Sequence, residues 1–310
     1  MTALQGTNRV VLLGAGMGLV LLGIEVGEVH VGLRGATALV GLIPVAVSVT
    51  LGGPIAAAVA VGIAVLGVGG ALGGTAAVVV AMRHAVPGLA LGVVLARRLS
   101  LPASLIIVGA ASLLGLLLLL GAYLPSGSMG LSLLGRQLDA HVADLDRLVG
   151  WFGVTSDPTR VAESARLLAG AMRIAGPGIL LVGLLVVSLT NYVGARVCLR
   201  GRAFRAFADE SVPDHLVWGV IAAGLMLVSQ HETAQRVGLN LLIVLAPLYA
   251  IQGLAVLRHF FQKAKVPRPL QGVSFGLFAV QPLLLIGAAG LGLSDLWVDF
   301  RGIRRVATSP

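Results

Sequence analysis

The sequence predicts an all-α fold, a polytopic bundle of transmembrane helices. Three observations predict it. The chain is 57% hydrophobic and only 11% charged, with a mean hydropathy of +0.98, too few charges to cover a water-soluble surface. Apolar runs of about twenty residues, the length needed to cross a bilayer, recur from end to end. The 43 glycines supply the small residues that let membrane helices approach closely.

Taken in order, the runs divide into 9–25, 35–52, 54–72, 75–96, 102–123, 174–197, 214–230, 237–258 and 270–294, about 8–9 spans. The first follows Arg9 and lacks a small-x-small cleavage site before Glu25, so it reads as a retained helix rather than a signal peptide. GVGGALGG (67–74) is either a turn between spans or a close-packing site. Pro54, Pro102 and Pro213 stand near helix starts, where a missing N–H costs little. Pro87, Pro247 and Pro282 fall inside spans, where neighbouring helices tolerate a kink or unwinding.

Between the fifth and sixth runs lies the one sizeable polar stretch, 124–173. Leu131, Leu134, Leu138, Val142, Leu145, Leu148 and Phe152 recur at three- and four-residue spacing, which marks an amphipathic helix. Asp157 and Pro158 are an N-cap and first-turn pair for a second helix. The stretch therefore reads as an extramembrane helical hairpin, and the chain divides into an N-terminal bundle (1–123), the hairpin (124–173) and C-terminal helices with a tail (174–310).

The net charge of +9 and pI near 11.1 superficially suit nucleic acid. Here the arginines sit in short gaps between apolar runs, as the positive-inside rule requires, so no nucleic-acid partner is expected. With the N-terminus cytoplasmic, the inner loops carry Arg97, Arg98, Arg196, Arg200, Arg202, Arg205, Arg258, Lys263, Lys265 and Arg268. The outer short loops carry only Arg34, Arg83 and Arg236. This describes a multi-pass protein of the inner (plasma) membrane. An odd span count would put Arg301, Arg304 and Arg305 outside, so eight crossings with the tail inside fit the rule better. Cys198 is the single cysteine, which rules out an intrachain disulfide and a cysteine-based metal cluster.

Ionisable groups inside a bilayer are costly and are functional candidates by default. Glu25, Glu28 and His30, in IEVGEVHVGLRG, are one set; they either bind a cation or cationic substrate at a bundle mouth or form a polar loop. Arg83 and His84, in VVVAMRHAVPG, are the second. If 75–96 is one span they lie near its centre, where Arg83 would pair with Glu25 or Glu28 or clamp an anionic ligand. If the span breaks at 82–86 they are loop residues. Gly14 and Gly18 form a GxxxG pair, for packing within the chain or for docking a partner helix.

QHETAQR (230–236) fails as a zinc HExxH, because Gln235 stands where the second histidine belongs. Asn191, Asn240, Gln252 and Gln281 suit interhelical hydrogen bonds, and Trp151, Trp218 and Trp297 suit interfacial anchors. Neither a P-loop nor a G-x-S-x-G elbow occurs, and no catalytic residue, cofactor or metal site is expected. In the tail, GLSDLWVDFRGIRR, Asp295 and Asp299 would share one helical face. They would either hold Mg²⁺ in a lipid-modifying enzyme, for which a second acidic motif is absent, or form a structural clasp. The clasp, with Asp295 or Asp299 paired to Arg258 or Arg268, Trp297 at the interface and Arg301 beyond it, is the preferred reading.

LAPLYAIQGLAVLRHFFQKAKVPRPLQGVSFGLF (245–278) and QPLLLIGAAGLGLSDLWVDFRGIRR (281–305) resemble the YybS-like family of predicted bacterial membrane proteins, of unknown function, with its "QGLAxxxxF" helix and "GLxDxWxDFR" ending. That family is distantly similar to the substrate-binding membrane subunits of energy-coupling-factor vitamin and metal transporters. The resemblance implies a bundle that captures a small ligand and docks on an energising subunit through a small-residue face, here Gly14 and Gly18. The expected function is transport-like, non-enzymatic binding of a small ligand in the N-terminal bundle. The alternative is a membrane scaffold or regulator that binds protein partners.

Overall fold

The computed structural model describes residues 2–31, 36–123, 158–200, 202 and 204–303. Among them every regular element is helical: α1 (Thr2–Val31), α2 (Ile43–Leu72), α3 (Gly74–Val80), a π turn (Ala81–Ala85), α4 (Val86–Ala96), α5 (Leu101–Tyr123), α6 (Pro158–Cys198), α7 (Val217–Val228), α8 (Glu232–Lys263), α9 (Arg268–Val280) and α10 (Pro282–Val298), with short 3-10 turns at Ala36–Leu39, Phe207–Asp209 and Asp214–Leu216. Six helical stretches are long and apolar enough to cross a membrane, or seven if the bent pair α9–α10 is one span. The first hairpin helix, Trp151 and Asp157 lie outside the described residues. The second helix does start at Pro158, but it continues without a break into the following span as one 41-residue helix. The boundary expected at 173–174 falls inside this helix, where its apolar crossing segment, Ile174–Cys198, begins.

Packing divides the chain into two units. Unit 1 comprises the described residues of Met1–Arg97, Ser104–Ser164 and Leu184–Arg202; unit 2 comprises those of Arg98–Ala103, Ala165–Gly183 and Ala203–Pro310.

In unit 1, α2 would measure about 45 Å if straight, well beyond a bilayer core of about 30 Å. It breaks at Gly53, whose φ of 71° and ψ of −162° are non-helical and suit a residue without a Cβ. The neighbours of α1 show that the chain reverses there. Gly52 faces Val10 and Leu13, near the start of α1, whereas Thr37 bonds Glu28 near its end. Beyond the break the direction inverts: Gly14 abuts Ala56, Gly18 abuts Ala60, and Leu22 abuts Gly67. The first arm therefore runs antiparallel to α1 and the second parallel to it, with the reversal between the runs expected at 35–52 and 54–72. Leu21, Val45 and Ala64 join α1 and both arms in one apolar cluster. α4 lies alongside the first arm, with Gly88 against Val45 and Gly92 against Val49. In GVGGALGG the turn falls at Gly73 (φ 95°), while Gly67 is a packing position against Leu22.

Unit 2 differs from expectation in two places. The run 214–230 is helical over Asp214–Val228, a 3-10 turn followed by the 12-residue α7, fewer than the roughly twenty residues of a straight span. The run 270–294 is not straight: α9 and α10 meet at 104°, and Pro282 opens a new helix rather than kinking an old one. The backbones of α8 and α10 touch. A Cβ on Gly253 would lie 1.8 Å from the Ala288 carbonyl oxygen, and one on Gly292 would lie 2.0 Å from that of Tyr249.

Candidate functional site

Polar side chains from three elements of unit 1 meet at one place. Glu25 and Glu28, three apart on α1, share a face by helical geometry. Neither lies in a loop, because α1 continues to Val31. Opposite them runs the π turn, whose wider winding breaks the i→i−4 register and is a recurrent device of functional sites. It carries Arg83 and His84 within a continuous apolar stretch, Gly74–Ala96, so these residues are not in a break between spans.

His84 is fully buried, with Nε2 2.8 Å from Glu25 Oε1. The ring fits because residue 41 is glycine: a Cβ there would come within 2.4 Å of Nδ1. Arg83 Nη1 stands 3.8 Å from Glu28 Oε1, and Thr37 Oγ1 donates a hydrogen bond to Glu28 Oε2. Arg83 is 32% exposed, so its pair opens outward while the Glu25–His84 pair is enclosed. Asn191 of α6 fixes the wall that carries Thr37 and Gly41. Its Oδ1 accepts from Leu42 N at 3.0 Å, and its Nδ2 donates to Ala38 O at 2.7 Å and Val187 O at 2.8 Å.

The enclosed pair is incompletely bonded. Although the Glu25–His84 distance suits an ion pair, neither Glu25 Oε1 nor the two imidazole nitrogens has an aligned hydrogen-bond partner among the described residues. Such an orphaned polar atom costs roughly 1–3 kcal/mol. Two carboxylates, an imidazole and a guanidinium in an apolar bundle can recognise charge of either sign. No group of three or more metal-ligating residues occurs among the described residues.

Of the sequence candidates, Glu25, Glu28, Arg83 and His84 come together; His30 lies on the last turn of α1, and its side chain lies outside the described atoms. Gly14 and Gly18 do not form a free docking face. Both are pressed against the second arm of α2, where a Cβ would lie 2.5 Å from Ala56 O and 2.7 Å from Ala60 O respectively. Thr37, Gly41 and Asn191 escaped the sequence reading as site residues. The available signal was the interruption of the apolar pattern by Gly32, Arg34 and Gly35 just before Thr37.

The tail forms a second polar cluster, in unit 2. Asp295 and Asp299 do not share a helical face, because α10 ends at Val298 and Asp299 adopts a left-handed conformation (φ 49°, ψ 58°). Asp295 pairs with Arg301 (Nη2–Oδ2 2.7 Å), not with Arg258 or Arg268. Arg258 donates instead to Gln271. Asp295 also accepts from Gln252 Nε2 at 3.1 Å and from Phe300 N at 3.0 Å. Arg301 Nη1 donates to the carbonyls of Ala208 and Glu210, each at 2.7 Å. Gln252 Oε1 accepts from Val212 N at 2.8 Å, and Glu210 Oε2 accepts from Leu101 N at 2.5 Å. The Gly253–Gly292 contact lets Gln252 reach Asp295. Trp297 stays 68% exposed, as an interfacial ring would be.

The family model described as "Predicted membrane protein (DUF2232)" matches residues 32–296 of the chain. No curated protein and no solved structure matches.

Proposed function

From a chain that belongs to the DUF2232 family of predicted membrane proteins, we infer a transport-like, non-enzymatic membrane protein that binds a small charged ligand at the Glu25–Glu28–Arg83–His84 cluster of unit 1. One observation carries this reading: His84 and Glu25 are buried among apolar helices with polar atoms left without aligned partners among the described residues. A bundle selected only for stability would replace such a pair with apolar side chains. Arg83 and Glu28 form the reachable edge, and the π turn supplies a backbone that adjusts as a ligand enters. The resemblance to the YybS-like family and to transporter binding subunits supports the same role, with energy from an ion gradient or a separate subunit. The arginine distribution supports an inner-membrane protein with a cytoplasmic N-terminus.

A thermal-shift screen of the purified full chain against vitamins, nucleobases and metal ions tests the reading. A ligand should raise the unfolding temperature of the parent, and the rise should vanish in Glu25→Gln and in Arg83→Gln. Absence of any ligand-dependent shift, or a shift that both variants keep, would overturn it.

A further inference from the structure

The corner between α8 and α9 joins two features that the polar clusters leave unused. The first is charge. No Asp or Glu occurs between Glu232 and Asp295, while Lys263, Lys265 and Arg268 fall within six residues at the corner. All three are exposed. Among the described residues, none of their side chains forms an ion pair or donates a hydrogen bond. α9 begins at Arg268 with no acidic residue in its first turn, so a side-chain cation adds to the positive end of the helix dipole instead of offsetting it. The corner is rigid, because Arg258 donates to Gln271, and Gln271 Nε2 donates to Val266 O at 2.7 Å.

The second is an apolar cleft of about 230 Å³ at the bend between α9 and α10, lined by residues that include Gly253, Leu257, Phe278, Leu283 and Gly287. Its surroundings are apolar, not polar: Leu270, Val273, Leu277 and Val280 form an exposed stripe on α9, and Leu283 and Ile286 are exposed on α10. A cleft opening onto such a surface faces hydrocarbon. Its volume suits part of one acyl chain. Leu257 in the cleft and Lys263 at the corner are six residues apart on α8, about 9 Å along the axis, a spacing that fits a phosphate at the surface and a chain below it.

We propose that this corner binds an anionic phospholipid, with the phosphate against Lys263, Lys265 and Arg268 and an acyl chain in the cleft. Charge complementarity selects the lipid. The positive-inside rule assigns a basic corner to the cytoplasmic leaflet, where anionic headgroups attract membrane-adjacent lysines and arginines.

Native mass spectrometry of the full-length protein, titrated with phosphatidylglycerol or phosphatidylcholine of matched chains, measures the binding. The parent should retain phosphatidylglycerol in preference to phosphatidylcholine. The triple variant Lys263→Gln/Lys265→Gln/Arg268→Gln should bind phosphatidylglycerol on the order of a hundredfold more weakly, from roughly a fivefold effect per cation. Gly287→Phe should weaken both lipids, because residue 287 has open space where a side chain would enter the cleft. The unfolding temperature of each variant serves as the folding control. Equal retention of the two lipids, unchanged binding by the triple variant, unchanged binding by Gly287→Phe, or displacement by millimolar inorganic phosphate would each overturn the proposal.

Discussion

Each unit buries a carboxylate beside a basic group, and the two arrangements differ in how completely they are bonded. In unit 2, Asp295 is surrounded by Arg301, Gln252 and the Phe300 N–H, and Arg301 also holds two backbone carbonyls. In unit 1, Glu25 and His84 touch, yet three of their polar atoms have no aligned partner among the described residues. The Asp295 carboxylate, bonded at both oxygens, fixes one structure. An incompletely bonded pair raises the energy of the resting state and leaves bonding capacity for something else. On this contrast the tail reads as architecture, and the α1–π-turn cluster is the place where the proposed ligand would bind.

The largest effect should come from cutting the Asp295–Arg301 pair. Arg301→Ala leaves Asp295 and two carbonyls buried without their partner, and should cost about 3–5 kcal/mol in equilibrium unfolding. Next is the contact that brings Gln252 to Asp295. Gly253→Ala or Gly292→Ala forces α8 and α10 apart and should cost about 1–3 kcal/mol, read from the same unfolding curves. Smaller again is Asn191→Ala, which removes a buried interhelical bridge worth about 0.6 kcal/mol in typical membrane helices. Its sharper readout is ligand response, which should fall because the wall carrying Thr37 and Gly41 loosens. The smallest stability effect is expected for Arg83→Gln, below about 1 kcal/mol because the pair is partly exposed, while ligand response should be lost. A large stability loss from Arg83→Gln with ligand response intact would erase the contrast between the two units.

Sequence periodicity revealed the elements more readily than their partners. Apolar length alone located the runs at 9–25, 35–52 and 54–72, and Pro54 stood near the start of the third, next to the break at Gly53. The even choice at Arg83 and His84 could not be resolved from pattern, because Pro87 suits both a break and a second helical turn; the π turn that keeps the stretch continuous depends on tertiary packing. The tail misled for a local reason. Helical spacing put Asp295 and Asp299 on one face, but the left-handed turn at Asp299 turns the chain back so that Arg301 meets Asp295. Contacts such as Gln252–Asp295 and Asn191–Leu42 join residues far apart in the chain, and hydropathy carries no information about which polar side chains meet.

The most direct test of the contrast compares unfolding midpoints of two variants that replace each pair by apolar side chains, Glu25→Met/His84→Leu and Asp295→Leu/Arg301→Met. The first should unfold at or above the parent's midpoint, since it removes unsatisfied polar atoms without breaking a complete network. The second should unfold well below it, since the Ala208 and Glu210 carbonyls, Gln252 Nε2 and Phe300 N lose the partners that Asp295 and Arg301 supply. A first variant as unstable as the second would contradict the assignment of the Glu25–His84 pair to function.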